Sequence, residues 1–325
     1  KDMQKKIGLV FGPVVFVLIF FFGSFEGLSN QGQAVLATTF WIAIWWITEA
    51  VPIAASALLP IVLFPLSGGM ELSTTTAAFG HKYVFLYLGG FLIAIGIEKW
   101  NLHKRIALNI INFIGTNIVN IILGFMVATA FMSMWISNTA TTVMMLPIGM
   151  AIVAQLRDNP KTIEDENLIF GKALMLAIAY SATIGGMSTL IGTPPNLVLA
   201  GVVEETFGYE ITFAQWFKFG FPISVVLLFL CWKYLTSISF KLKQKSFTDG
   251  RADITKQLKA LGPISYEERL VAGVFTLTAL AWISRSFFLN SIMPAIDDTI
   301  IGLISALILF LLPTKNKDRR LLNWK

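Results

Sequence analysis

The sequence predicts an all-α integral membrane protein, and two observations lead to that fold class. Of the 325 residues, 55% are hydrophobic and 14% are charged, whereas a soluble domain carries about 25% charged residues. Several apolar stretches reach the roughly 18 residues that suggest a helix across a bilayer. A chain this apolar cannot cover its surface with polar groups in water, so we expect the lipid bilayer to be its solvent.

Apolar segments alternate with polar ones along the whole chain. We predict eleven apolar segments, at 7–25, 34–47, 53–66, 84–97, 119–136, 140–156, 173–187, 197–203, 213–235, 270–288 and 299–312. Several are too short to cross a bilayer at about 1.5 Å per residue. Short apolar segments interrupted by glycine, proline or polar residues are typical of broken helices in membrane proteins.

The charged residues predict which loops face the cytoplasm. Basic residues cluster between apolar runs, as the positive-inside rule expects. We therefore predict that the N-terminus is cytoplasmic and that the protein lies in the inner (plasma) membrane. Inward-facing segments are predicted at 98–109, 157–172, 233–259 and 315–320, and acidic outward-facing ones at 204–210 and 297–298. The pattern at 98–109 also suits an amphipathic helix lying along the membrane interface. This distribution accounts for the net charge of +6 and argues against a nucleic-acid partner.

The segment 119–156 begins and ends on the same side, which leaves two topologies open. It is either two full spans or one re-entrant hairpin. Its centre, from Ser137 to Thr142, is a dense polar cluster between two apolar arms. Such a cluster belongs at a buried, water-accessible level of the membrane, which favours re-entry.

Two polar interruptions, at 133–139 and 185–196, carry the functional signal. The second contains two adjacent glycines and two adjacent prolines, which break a helix because proline lacks an amide donor and restricts the preceding residue. We expect the carbonyl groups at 185–189 to lack intrahelical donors, and bare carbonyls can coordinate a hard cation.

The same interruptions predict an anion site built without a buried arginine or lysine. The N-terminus of a helix presents free N–H groups and a partial positive charge, and we expect helices to begin after Asn138 and after Pro195. The amide of Asn138 and the hydroxyls of Thr139, Ser188 and Thr189 can donate hydrogen bonds to a carboxylate. A purely structural role, in which these hydroxyls bond only to helix backbone, is the competing interpretation.

Ionisable residues are missing around both interruptions. No Asp, Glu, Lys, Arg or His occurs at 114–156 or 173–201. A proton-coupled carrier usually needs an ionisable relay in the membrane, so neutral oxygen ligands favour Na⁺ as the coupling ion. Glu49 lies deep between spans, and we interpret it as a structural carboxylate at a helix break rather than a coupling site. Trp41, Trp45 and Trp46 are interpreted as packing or lipid-facing residues.

These motifs resemble the divalent anion/sodium symporter family, whose members carry succinate-like and citrate-like anions. The resemblance rests on Ser137-Asn138-Thr139, on Gly-Thr-Pro-Pro-Asn at 192–196 and on Thr-Glu-Ala-Val-Pro at 48–52. It covers essentially the whole chain. It implies an inverted-repeat, elevator-type transporter that works as a homodimer, with a scaffold and a moving transport domain.

The resemblance also implies site residues. A first sodium site is implied near Ser133, Ser137, Asn138 and Gly186. Substrate contacts are implied at Asn138 and Thr139, with Ser188 and Thr189 as neighbours.

The domain prediction has four parts. They are scaffold spans and an interfacial helix at 1–113, a transport domain at 114–210, a span with a basic connector at 211–265, and the start of a second repeat at 266–325. The family has a second Ser-Asn-Thr hairpin, which these residues lack. We therefore expect them to be part of a longer chain.

The function predicted on these grounds is Na⁺-coupled symport of a C4-dicarboxylate or a citrate-like anion. A channel or uncoupled anion pore is the alternative, since broken helices serve channels too. A membrane-embedded enzyme would need a nucleophile–base pair or paired acidic residues in the spans. Neither is found beside the interruptions, so we expect no enzyme.

Overall fold

The structure is a computed structural model that describes residues 2–115, 117–157, 164–242 and 248–324. The chain divides into two compact units, residues 1–84 and 85–325. Part of the predicted inward-facing charge, at 158–163 and 243–247, lies outside the described residues.

The first unit is built from short and medium helices. They are α1 (Asp2–Val17), α2 (Asn30–Thr48), α3 (Ile53–Ser56), α4 (Leu59–Ser67) and α5 (Leu72–Phe79). Gly12 of α1 lies against α2, where an added Cβ would stand 2.6 Å from Trp41 Cδ1. The rings of Trp41 and Trp45 meet edge to face at 5.3 Å, which agrees with a packing role. Glu49 adopts a left-handed conformation (φ 50°) directly after α2, so the helix break predicted there is present.

The second unit holds longer helices and the polar interruptions. After α6 (Lys82–Lys99), which begins at the end of the first unit, its helices are α7 (Leu102–Ile114), α8 (Ile118–Ser133), α9 (Asn138–Arg157), α10 (Glu164–Gly186), α11 (Pro194–Phe207), α12 (Phe213–Lys233), α13 (Thr248–Ala260), α14 (Tyr266–Ser284), α15 (Asn290–Ile292) and α16 (Asp298–Leu311). Wider π-helical turns extend α1, α12 and α14 at Leu18–Phe22, Tyr234–Ser239 and Arg285–Leu289.

The predicted apolar segments all fall on helices, with some differences in their bounds. The segment 53–66 is two helices, α3 and α4, and the segment 197–203 is part of the longer α11. Helices α5 and α13 were not predicted because neither is continuously apolar. Within the described residues, five helical stretches are long and apolar enough to cross a membrane: Asp2–Phe22, Leu72–Lys99, Leu168–Gly186, Phe213–Ser239 and Tyr266–Ile292.

Helix α8 is the most enclosed helix of the second unit and packs against α7 and α10. The predicted amphipathic helix is α7. Its buried residues, Leu102, His103, Ala107, Leu108 and Ile111, recur at helical spacing, and the last three belong to the same hydrophobic core as α8. Helix α8 spans about 24 Å at 1.5 Å per residue, which is shorter than a bilayer core of about 30 Å.

Long-range contacts agree with the predicted pairing of loops on common sides. Glu210 of one acidic segment and Asp298 of the other both contact Arg285, at 3.0 and 3.1 Å. At the basic loops, Arg105 pairs with Glu268 at 3.0 Å, and the Trp100 indole donates to the Leu321 carbonyl at 3.0 Å. The two acidic segments, which were predicted to face outward, therefore lie together, whereas Glu268 and Leu321 lie just outside the predicted inward-facing segments.

Candidate functional site

The two polar interruptions meet in the second unit. Helix α8 ends at Ser133 and α9 begins at Asn138, so residues 134–137 form the tip of a helical hairpin. Helix α10 ends at Gly186 and α11 begins at Pro194, which leaves a seven-residue link at 187–193. The Thr189 hydroxyl in the link donates to the Met134 carbonyl in the tip at 2.5 Å. Both predicted breaks are therefore present and in direct contact.

A cluster of neutral oxygens lies beside this contact. Ser133 Oγ is 2.7 Å from Asn138 Oδ1 and 2.7 Å from the Ala182 carbonyl oxygen. Ser133 is fully buried and Asn138 is half-buried. A hydroxyl carries one proton, so Ser133 can donate to only one of these two acceptors at a time. The cluster thus holds more acceptor oxygens than protons.

Two glycines at the end of α10 allow this close approach. A Cβ at Gly186 would clash with Asn138 Oδ1, and a Cβ at Gly185 would clash with the backbone of Ala130. The adjacent glycines therefore let α10 approach both arms of the hairpin. Gly186, predicted as part of a sodium site, forms one wall of the oxygen cluster.

Four of the five carbonyls at 185–189, which were predicted to lack intrahelical donors, accept hydrogen bonds from two side chains of other helices or from the backbone of the link, so they are not bare. The Asn196 side-chain amide donates to the Gly186 and Thr189 carbonyls at 3.0 and 2.8 Å. The Ser188 N–H donates to the Gly185 carbonyl at 3.0 Å, and the Trp216 indole donates to the Met187 carbonyl at 3.0 Å. A carbonyl oxygen has two lone pairs; the Thr189 carbonyl uses both, because the Gly192 N–H also donates to it at 3.3 Å, whereas one donor to the Gly186 carbonyl leaves it a further acceptor position.

The start of α9 is arranged as an anion-binding helix terminus requires. Ser137 precedes the helix, and its hydroxyl accepts from the Ala140 N–H at 3.3 Å. The N–H groups of Asn138 and Thr139 lie in the first turn, where helix geometry supplies no intrahelical acceptor. Thr139 is exposed and Asn138 is half-buried, so this end of α9 opens outward from the oxygen cluster.

The start of α11 is less suited to an anion than predicted. Its first two residues are Pro194 and Pro195, which carry no N–H. The Asn196 N–H donates to the Thr193 carbonyl at 3.1 Å. The sequence already held this information, because the prolines that end one helix also occupy the first turn of the next.

Ser188 and Thr189, predicted as neighbours of a substrate, are 2% and 0% exposed. The Thr189 hydroxyl proton is used in holding the hairpin tip. The structure thus brings Ser133, Asn138 and Gly186 together in the oxygen cluster. Thr139 lies at the exposed rim of this cluster, and Ser188 and Thr189 are buried in the link beside it.

Three groups at the site were missed from the sequence. The Ala182 contribution is a backbone carbonyl, for which residue type gives no signal. Asn196 was noted only as the last residue of a motif, and Trp216 lies in an apolar segment where an indole usually faces lipid. The polar Asn196 directly after two prolines was the available signal, since buried amides in such breaks cap free carbonyls.

The sodium:sulfate symporter transmembrane region family matches residues 3–325, which is nearly the whole chain. The chain is therefore a member of this family of integral membrane symporters. The motif-based resemblance and the membrane fold class are confirmed.

Two relatives are similar along the whole chain. A protein of Staphylococcus saprophyticus named sodium-dependent dicarboxylate transporter SdcS is 44% identical over 334 residues, covering 100% of this chain and 64% of that protein. A protein of the same name from Staphylococcus aureus (strain USA300) is 45% identical over 338 residues, covering 100% of this chain and 65% of that protein. The chain thus spans slightly less than two thirds of each relative.

Proposed function

We propose that this protein is a secondary active transporter that couples Na⁺ to the uptake of a C4-dicarboxylate or a citrate-like anion. The observation that carries the proposal is the oxygen cluster of Ser133, Asn138 and Ala182 directly beneath the open N-terminus of α9. A cation in the cluster and a carboxylate at the helix terminus would share Asn138. The names of the two relatives support the same substrate class and the same ion.

The oxygen cluster favours a cation for an electrostatic reason. The Ser133 hydroxyl has one proton and two acceptors at 2.7 Å, so at one of the two contacts oxygen lone pairs face each other. A cation bound to these oxygens would offset that repulsion. Turning the Asn138 amide would satisfy Ser133 without a cation, and the Na⁺ dependence of binding separates the two arrangements. Ser137, whose hydroxyl lies at the start of α9, completes the proposed sodium set with Gly186.

The neutral character of the cluster favours Na⁺ over H⁺. No Asp, Glu, Lys, Arg or His occurs at 114–156 or 173–201, so the segments that form the cluster contribute no acidic, basic or histidine side chain of the kind that relays protons in membranes. A divalent anion needs compensating positive charge in a poorly hydrated site. The bound cation and the α9 terminus supply it.

The proposed anion contacts are the Asn138 amide nitrogen and the exposed Thr139 hydroxyl. Both lie in the first turn of α9, where the helix dipole favours negative charge. Ser188 and Thr189 stay predicted neighbours of the substrate.

The wider architecture is also proposed. The buried hairpin tip and the short α8 support a re-entrant hairpin at 118–157. Following the family resemblance, we propose two inverted repeats, an elevator-type transport domain and a homodimer in the plasma membrane, with a cytoplasmic N-terminus. The four-part domain division is retained on the same ground.

Uptake into proteoliposomes tests the proposal. An inward Na⁺ gradient should drive succinate accumulation, whereas a pH gradient in Na⁺-free buffer should not, because the oxygens proposed to bind the coupling ion are neutral hydroxyl, amide and carbonyl groups. Citrate competition defines the substrate range. Robust accumulation without Na⁺ would contradict the coupling, and conductance that does not saturate with succinate would favour the uncoupled pore.

A further inference from the structure

We infer that Asn196 is a positioning residue that sets the affinity of the cation site without touching the ion. The inference rests on the proposed function for its cation. It concerns a residue of α11, on the far side of the link from the oxygen cluster.

Both amide protons of Asn196 are used in the break. The side chain is 7% exposed, and its Nδ2 donates to the Gly186 carbonyl at 3.0 Å and to the Thr189 carbonyl at 2.8 Å. These carbonyls belong to the last residue of α10 and to the middle of the link. One side chain therefore ties the end of α10 to the start of α11.

The bond to Gly186 fixes one wall of the cation site. Gly186 stands so close to Asn138 Oδ1 that an added Cβ would clash with it. Any shift of the Gly186 backbone therefore changes the space around the amide oxygen that would bind Na⁺. Gly192 packs on the Gly186 backbone from the link side, so the link is in direct contact with this wall of the site.

The bond to Thr189 continues to the hairpin. Asn196 donates to the Thr189 carbonyl, and the Thr189 hydroxyl donates to the Met134 carbonyl in the tip. Asn138 follows the tip directly, as the first residue of α9. A chain of hydrogen bonds therefore runs from α11 through the link to the hairpin and holds both sides of the cation site at a set spacing.

Two variants test this role in the reconstituted protein. In Asn196→Ala, the Na⁺ concentration for half-maximal succinate uptake should rise about tenfold, which corresponds to about 1.4 kcal/mol. The succinate KM at saturating Na⁺ should change much less. Thr189→Val removes only the hydroxyl bond to the tip and should shift Na⁺ dependence in the same direction. Because both act in one chain, the double variant should show less than the sum of the two effects.

Matched controls use residues whose bonds stay within their own helix. Asn109 is exposed and donates to the Arg105 carbonyl at 2.8 Å, and Thr183 is exposed with its hydroxyl 3.5 Å from the Ala179 carbonyl. Asn109→Ala and Thr183→Val should keep the wild-type Na⁺ dependence.

A binding measurement separates this inference from the transport proposal. Na⁺, compared with choline at equal ionic strength, should raise the Tm of the wild-type protein by mass action. The half-saturating Na⁺ for that stabilisation should rise in Asn196→Ala as it does in uptake. If wild type is stabilised by Na⁺ but transports nothing, the transport proposal fails and the positioning role still stands.

The inference is overturned if Asn196→Ala keeps wild-type Na⁺ dependence in both assays. It is also overturned if Na⁺ affinity and Na⁺-free Tm fall while the succinate KM rises to a similar extent, because Asn196 would then be a general stabilising residue. Should Asn196→Ala fail to insert, Thr189→Val decides by the same two criteria.

Discussion

Two clusters of buried polar groups in the second unit are built by opposite means. The oxygen cluster around Asn138 contains only neutral groups. The other cluster is charged: Arg285, 5% exposed, lies 3.0 Å from Glu210 and 3.1 Å from Asp298. The comparison separates groups that we propose bind an ion from groups that hold helices together.

The charged cluster joins three elements of the fold. Asp298 at the start of α16 accepts from the Phe213 N–H at 2.8 Å, which fixes the start of α12. Its carbonyl accepts from the Trp282 indole of α14 at 2.9 Å. The Arg285 Nε donates to the Ile296 carbonyl at 3.1 Å. The cluster therefore fixes helix ends through opposite charges that already neutralise one another in part.

This difference predicts that stability and transport respond separately to substitution. Removing one member of a buried ion pair leaves a charge without compensation, which costs about 3–5 kcal/mol of stability. Removing a neutral oxygen from the other cluster costs about 1 kcal/mol. The charged cluster should therefore dominate unfolding and the neutral cluster should dominate Na⁺-dependent uptake.

The largest expected effect is the loss of transport when Asn138 is replaced. Asn138→Ala removes both the oxygen proposed for Na⁺ and the nitrogen proposed for the substrate, and Asn138→Asp puts a negative charge where a dianion should bind. Both variants should reduce Na⁺-dependent succinate uptake to near background.

Their Tm should stay close to that of the wild type, which the exposed control Asn109→Ala defines. Near-normal uptake by Asn138→Ala would mean that Asn138 is only part of the helix start and that cation and anion do not share it.

The second effect is on stability and concerns Arg285. Arg285→Met removes the ion-pair partner of the buried Asp298 carboxylate, so the free energy of unfolding should fall by about 3–5 kcal/mol. Denaturant unfolding in detergent measures this loss.

Arg269 of the same helix provides the control, since it is exposed. Arg269→Met should change stability by less than about 0.5 kcal/mol. If Arg285→Met were as stable as wild type but inactive, the charged cluster would belong to the transport machinery. The proposed division between a stabilising cluster and an ion-binding cluster would then be wrong.

The sequence predicted the neutral cluster far better than the charged one, for a physical reason. Ser133 and Asn138 are five residues apart, so local chain geometry brings them together once a break is recognised. Arg285 and Glu210 are 75 residues apart, and their pairing depends on how α12, α14 and α16 pack. The charge pattern placed the acidic segments on a common side but gave no partner for an arginine within an apolar segment.

The partners of the carbonyls at 185–189 could not be predicted, for a related reason. Glycines and prolines at 185–195 indicated the break, and the break exists. Whether its carbonyls stay free depends on which side chains reach back to them. Asn196 and Trp216 do so across the link and from α12, and neither contact follows from spacing along the chain.

The smallest expected effect concerns Thr139, at the exposed rim of the neutral cluster. Its hydroxyl can donate one neutral hydrogen bond to a carboxylate, which contributes about 0.5–1.5 kcal/mol net. Thr139→Ala should therefore raise the succinate KM by about two- to twelvefold and leave the half-saturating Na⁺ unchanged, because the oxygens proposed for the ion remain.

Thr139→Ser keeps the hydroxyl and should behave as wild type. Thr142→Ala is the matched control, since the Thr142 hydroxyl donates to the Asn138 carbonyl of its own helix at 2.8 Å. If Thr139→Ala shifted Na⁺ dependence and not succinate KM, the rim would belong to the cation site, and the proposed order of ion inside and anion outside would be reversed.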